Sequence, residues 1–106
     1  MKTVFASLIA LAAVVSLSAE SGRELFTQRC APCHGEKGMQ QALGISSQIG
    51  RMDRKTLIES LEIYRIGRLS RYGRGDLMTE QARSLSDRDI REIADYLQSL
   101  RRKKKQ

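Results

Sequence analysis

The sequence predicts an all-α domain of three to four helices. Three observations predict it. Ile90, Ile93, Ala94, Leu97 and Leu100 recur at the spacing of one helix face, and Leu57, Ile58, Leu61 and Tyr64 form a second stripe of the same kind. No run shows the alternation of a half-buried strand, and no internal repeat is present.

Ahead of the helices, Met1 and Lys2 lead into an apolar run from Val4 to Leu17, then the small residues Ser18 and Ala19 before Glu20. That charged, apolar, small-residue order is the pattern of a secretory signal peptide. Its 14 apolar-run residues would reach roughly 21 Å as a helix, short of the roughly 30 Å hydrocarbon core, which makes a retained anchor the weaker alternative. The expected layout is a signal peptide over 1–19, cut after Ala19 or at the neighbouring Ser18, a folded domain over 20–100, and a basic C-terminal tail over 101–106. Export from the cytoplasm follows from that layout.

The first helix opens at Ser21 or Gly22, with Leu25, Phe26 and Cys30 at helical spacing, and stops near Cys33 and His34 before Gly35 and Gly38. Residues 36–51 are Gly-, Ser- and Gln-rich without a sustained period and read as a loop; a stretch that long is functional or wraps something. Asp53 is placed to cap the second helix, which ends at Gly67. Residues 68–76 read as another loop, and a short helical turn follows Met78. Ser86-Asp87-Arg88-Asp89 is close to a capping box, with Asp89 in the usual Glu position, and starts the last helix.

The precursor carries 19 Lys plus Arg against 12 Asp plus Glu, a net charge of +7, but Lys2 and the five basic residues at 101–105 supply most of that excess. Residues 20–100 hold 13 basic and 12 acidic side chains. A nearly neutral body argues against a nucleic-acid-binding domain, which spreads its cations over a folded face. A domain this small usually needs a disulfide, a metal or a cofactor, because it buries too little apolar surface. With no Trp, three Tyr and two Phe, one of them in the signal, it is also short of large apolar side chains that a bound cofactor would replace.

The two cysteines and the single histidine of the chain fall in one pattern, Cys30-Ala31-Pro32-Cys33-His34. C-x-x-C-H is the attachment signature of haem c. Residues three apart lie about one helical turn from each other, so both thiols reach one edge of a porphyrin while His34 offers a nitrogen to the iron. A thioredoxin-like dithiol needs a strand before the motif, and none precedes Cys30. A zinc site usually takes four ligands, and a bare Cys30–Cys33 disulfide would close only a tiny loop. With no further histidine, a second axial ligand must come from Met39, Met52 or Met78. Met39 is close to the attachment site, Met52 suits core packing, and Met78 sits in a loop-rich stretch able to cross the far face of the ring.

From Ser21 to Leu100 the sequence resembles the short class I cytochromes c of the bacterial periplasm, monohaem electron carriers. Gly22, Phe26 and the segment from Cys30 to Gly35 look like that family's opening helix and haem motif. Leu77-Met78-Thr79, Leu85-Ser86-Asp87 and Ile93-Ala94-Asp95-Tyr96-Leu97 look like its axial methionine, helix start and final helix. Many relatives have Pro beside the methionine, where this chain has Leu77 and Thr79. The resemblance implies the small class I cytochrome c fold, three to four helices wrapped around one covalent haem c. It implies Cys30 and Cys33 as attachment points, His34 and Met78 as axial iron ligands, and a close crossing of the first and last helices at Gly22, with Phe26 near Tyr96 and Leu97. It further implies a monomeric, non-enzymatic carrier in a respiratory chain, serving redox partners such as a quinol-oxidising complex, a terminal oxidase or a peroxidase. A gas-binding haem protein is the competing class: it keeps the attachment motif but lacks the methionine ligand.

Two charged features remain. Arg65, Arg68, Arg71 and Arg74 recur at every third position with no acid between Glu62 and Asp76. They read either as a solvated face or as a positive collar that steers an acidic redox partner. The tail reads as a disordered, solubilising end, or as a weak contact with anionic lipid at a membrane surface.

Overall fold

Ser21 has the extended backbone and the side-chain acceptor that open a helix: its Oγ accepts from the Glu24 N–H at 3.3 Å, and α1 (Gly22–Leu25) follows. The computed structural model describes residues 21–68 and 73–104; the expected signal segment, Arg71 and the last two residues lie outside the described residues.

The first helix does not keep one geometry. α1 passes directly into a π-helical turn, Phe26–Cys30, in which the Ala31 N–H donates to the Phe26 carbonyl five residues back, and then into α2 (Ala31–His34). Pro32, in the first turn of α2, explains the widening. It has no N–H to give to the preceding turn, and its ring would collide with a carbonyl there in a tight α-helix. Gly35, at φ 82°, ends the rod in a backbone conformation that costs other residues more.

Residues 36–51 are irregular, as expected, but contain two 3-10 turns, Ala42–Gly44 and Ile49–Arg51. This loop is pinned to itself: the Gly50 N–H donates to the Gly38 carbonyl at 2.8 Å, and a Cβ on Gly50 would lie 2.2 Å from the Lys37 carbonyl oxygen. α3 (Arg54–Arg65) starts where Asp53 caps it, the carboxylate accepting from the Thr56 N–H at 2.7 Å, and ends just before Gly67.

α4 (Gly75–Ala82) differs from the expectation. The helix begins before Met78 rather than after it, so Met78 is a helical residue and not a loop residue. Asp76 in the first turn suits the positive end of the helix. α5 (Asp87–Lys104) has the expected capping box in full: Ser86 Oγ accepts from the Asp89 N–H and Asp89 Oδ2 accepts from the Ser86 N–H, both at 3.0 Å. Its helix continues past Leu100 through residues expected to be a tail, and Arg101 Nη1 donates to the Met52 carbonyl at 3.1 Å.

The core lies where α1, α3, α4 and the loop before α5 meet the apolar face of α5. Phe26, Ile90, Ile93 and Leu97 are fully buried there, each stabilising the fold by about 1.5–3 kcal/mol relative to exposure. α1 crosses α5 so closely that a Cβ on Gly22 would sit 2.0 Å from the Glu92 carbonyl oxygen. The Phe26 and Tyr96 rings meet at 5.6 Å between centroids, tilted by 46°. α3 packs on both α4 and α5, and Arg54 bridges to Asp95 at 2.6 Å. Among the described residues there is no strand, in keeping with the all-α expectation.

Candidate functional site

Between α2 and α4 the helices leave a cavity of about 460 Å³, a volume typical of small-molecule and cofactor sites. Cys30, Cys33 and His34 line it from the first helical rod, and Met78 lines it from α4. Leu61 and Tyr64 of α3 and Ala82 and Leu85 close it with largely apolar surface. Leu43 and Ile45, from the 3-10 turn and the residue after it, stand at its edge, 64 % and 43 % exposed.

The chemistry of the donor set can be read residue by residue. His34 is buried, and its Nδ1 has no hydrogen-bond partner. Burial also holds its imidazole below the usual histidine range, so the ring is neutral and keeps a lone pair free, the form that binds metals. A buried ring nitrogen without a protein partner calls for something else to satisfy it.

Cys33 is exposed and Cys30 half-buried. Burial pushes the Cys30 thiol up to about 11, against the opposing pull of the neighbouring Arg29. A thiol kept protonated is a poor nucleophile, the opposite of what a dithiol oxidoreductase requires. Among the described residues no group of three or more His, Cys, Asp or Glu could hold a metal ion, so the zinc alternative also lacks ligands. Two thiols, a neutral imidazole and a thioether around an apolar cavity do fit a covalent haem.

Of the three candidate methionines, only Met78 lines this cavity. Met39 lines a different cleft, and the Met52 sulfur accepts a hydrogen bond from Ser47 Oγ at 3.7 Å. The arginine series is less uniform than its spacing suggested. Arg65 is tied to Asp87 at 2.6 Å and to the Leu85 carbonyl at 3.1 Å, and Arg74, which lines the cavity, pairs with Asp76 at 3.2 Å. Arg68 is exposed, and Arg71 lies outside the described residues.

Sequence reasoning missed the side walls. Leu61 and Tyr64 belong to the apolar stripe of an amphipathic helix, and periodicity cannot tell a face that meets another helix from one that meets a cofactor. It also missed Arg29, whose Nη2 donates to Ser84 Oγ at 2.7 Å and ties the π turn to the turn that follows α4. The π turn itself had one signal in the sequence, Pro32 inside a helical stretch.

An all-α domain whose cavity joins a C-x-x-C-H segment to a methionine is a haem-binding electron carrier of the c type. Comparison with known proteins gives the family. The cytochrome c family model matches residues 19–101. Cytochrome c-553 proteins from two strains of Helicobacter pylori are 36 % and 33 % identical to this chain over 101 residues, covering 95 % of it and 100 % of each relative. Cytochrome c-553 of Nitratidesulfovibrio vulgaris is 29 % identical over 93 residues, 86 % of this chain and 88 % of that protein. The chain belongs to the cytochrome c family, as a class I member with one covalent haem c. Among the described residues no helix is long and apolar enough to cross a membrane.

Proposed function

We propose that this protein is a periplasmic single-electron carrier whose haem c is bonded through Cys30 and Cys33 and whose iron takes His34 and Met78 as axial ligands. The observation that carries the reading is the shared cavity, in which both thiols, the neutral imidazole and the thioether face an apolar interior. When bound, haem supplies a reversible one-electron change at iron.

The chain's own residues do the rest. The two thiols anchor the group, and His34 donates its lone pair. Met78 brings a soft thioether that favours the ferrous state, and Leu61, Tyr64, Ala82 and Leu85 exclude water, which favours it further. With a protein ligand on each side, no coordination position is left for a substrate, so the protein passes electrons without transforming a molecule.

Leu43, Ile45 and Leu77 give the cavity mouth an apolar contact surface, and Leu77 is 42 % exposed. Its partners are redox proteins of a respiratory chain, such as a quinol-oxidising complex, a terminal oxidase or a peroxidase. The arginines of the 65–74 stretch steer them, weakly, since Arg65 and Arg74 already have carboxylate partners. The leader over 1–19 directs export.

The test is spectroscopic. Protein exported by a cytochrome-maturing host should show a pyridine haemochrome spectrum of two thioether bonds, low-spin iron, a methionine-to-iron charge-transfer band when oxidised, and no binding of carbon monoxide. A high-spin holoprotein would overturn the methionine ligation and favour a gas binder. Colourless protein with two unmodified thiols would overturn the whole reading. The mass of the exported chain checks removal of 1–19.

A further inference from the structure

A second cleft lies apart from the haem cavity and shares no lining residue with it. Met39, Gly50 and Leu100 line it together with Lys37, Arg101 and Lys103. No acidic side chain lines it. Six other cations of the described residues pair with carboxylates, but none of these three makes such an ion pair among the described residues. Arg101 is close enough to Asp53 to help hold that carboxyl below its ordinary range.

Two of the cations have an ordinary explanation, since Arg101 and Lys103 end α5, where positive charge suits the helix dipole. Lys37 has none. It comes from the loop after the haem motif, and the loop is held in place by the Gly38–Gly50 hydrogen bond and by contacts between α5 and the Ile49–Arg51 turn. The bare Gly50 lets the Lys37 carbonyl approach to a distance no side chain would allow. Arg101 is likewise fixed, one guanidinium nitrogen donating to the Met52 carbonyl, which leaves its other donors free for an anion.

We propose that this cleft is a second docking site, which takes an acidic peptide segment of a partner protein. One carboxylate meets the guanidinium of Arg101 and the ammonium groups of Lys37 and Lys103, while a neighbouring apolar side chain rests on Met39 and Leu100. The lining argues for a peptide: three cations stand with Met39 and Leu100, so a segment that offers a carboxylate beside an apolar side chain meets both parts of it. A site there holds the carrier while the mouth of the haem cavity stays open for electron exchange. The inference goes beyond the proposed function and does not depend on the identity of the axial ligands.

The test uses ferrous holoprotein and a capped peptide of Glu and Leu residues, with a Gln-for-Glu peptide as control. Amide shifts should concentrate at residues 37–39, 50 and 100–103, and the control peptide should not bind. Lys37→Gln, at an exposed residue, should weaken binding roughly fivefold, as expected for one lost ion pair. Arg102→Gln, exposed but outside the cleft, should weaken it by about twofold at most. An unchanged visible spectrum verifies that each variant is folded. Shifts confined to the haem cavity mouth would overturn the proposal, as would equal effects of Lys37→Gln and Arg102→Gln, which mean diffuse charge. Binding that only a Lys104→Gln/Lys105→Gln variant abolishes would assign it to the chain end instead. Absence of peptide binding, with Lys37-dependent attachment to phosphatidylglycerol vesicles but not to phosphatidylcholine ones, would make the occupant a membrane and overturn it too.

Discussion

Replacing Gly22 by alanine should destabilise the domain although it adds a good helix former. The new Cβ would fall 2.0 Å from the Glu92 carbonyl oxygen, 2.6 Å from its carbon and 3.2 Å from the Tyr96 Cβ. Two of those atoms are backbone, so no rotamer change relieves the clash and α1 must lift from α5. Overpacking of this kind costs typically about 1–3 kcal/mol, and a rigid backbone neighbour puts it at the upper end. Alanine returns up to about 1 kcal/mol of helix propensity, less at the first helical position. The net loss is about 2 kcal/mol, which for a domain of this size lowers Tm by about 8–16 °C. Circular dichroism melts of oxidised holoprotein, parent and Gly22→Ala, measure it directly. A melting point equal to or above the parent's would show that the two helices are not in backbone contact, and the account of the crossing would be wrong.

Further outcomes follow from the same geometry. Met78→Ala should abolish the charge-transfer band, convert the iron to high spin, admit carbon monoxide and lower the midpoint potential; an unaltered oxidised spectrum would exclude Met78 as the ligand. Ser86→Ala should lose about 1 kcal/mol in urea melts by removing one arm of the capping box, with little change in spectrum. The Asp53 carboxyl is held below its ordinary range chiefly by the Thr56 N–H, so its contribution is present above the unfolded Asp value of about 3.9 and is lost as pH falls through the lower folded value. Asp53→Asn, which keeps a capping acceptor, should therefore flatten the acid limb of a stability-against-pH curve; an identical limb would remove Asp53 from the account. Gly50→Ala should also destabilise, since its Cβ would meet the Lys37 carbonyl oxygen at 2.2 Å, and should blunt peptide binding in the second cleft.

What could be read in the sequence was whatever depends on neighbours a few residues apart. α5 was legible because five apolar positions and a reciprocal cap agree with one another, and α3 because Asp53, the stripe and Gly67 mark its ends. C-x-x-C-H was legible because its chemistry is itself local. α4 was misplaced because eight residues that begin with Gly75, just after Gly73, give too short a pattern, and because Leu77 and Met78 line a cavity instead of a core. The end of α5 reads as a tail in the sequence because charge hides a contact: Arg101 is helical and bonded to the carbonyl of a residue 49 positions earlier. The cleft beside it was illegible for the same reason, since nothing in a linear reading relates Lys37 to Lys103.

The π turn has a consequence for how such a chain can vary. A π turn is an α-helix with one residue added, so deleting a single residue from Phe26–Cys30 would rewind the segment by roughly 100° per residue. Phe26 would stay locked against Tyr96 while the sulfur-bearing segment swung out of its recess. The swivel therefore uncouples two jobs within one rod: the N-terminal part moors the helix to its neighbour, and the C-terminal part aims the ligands. Changes in the mooring can be absorbed without redirecting the aim, provided the extra residue is kept.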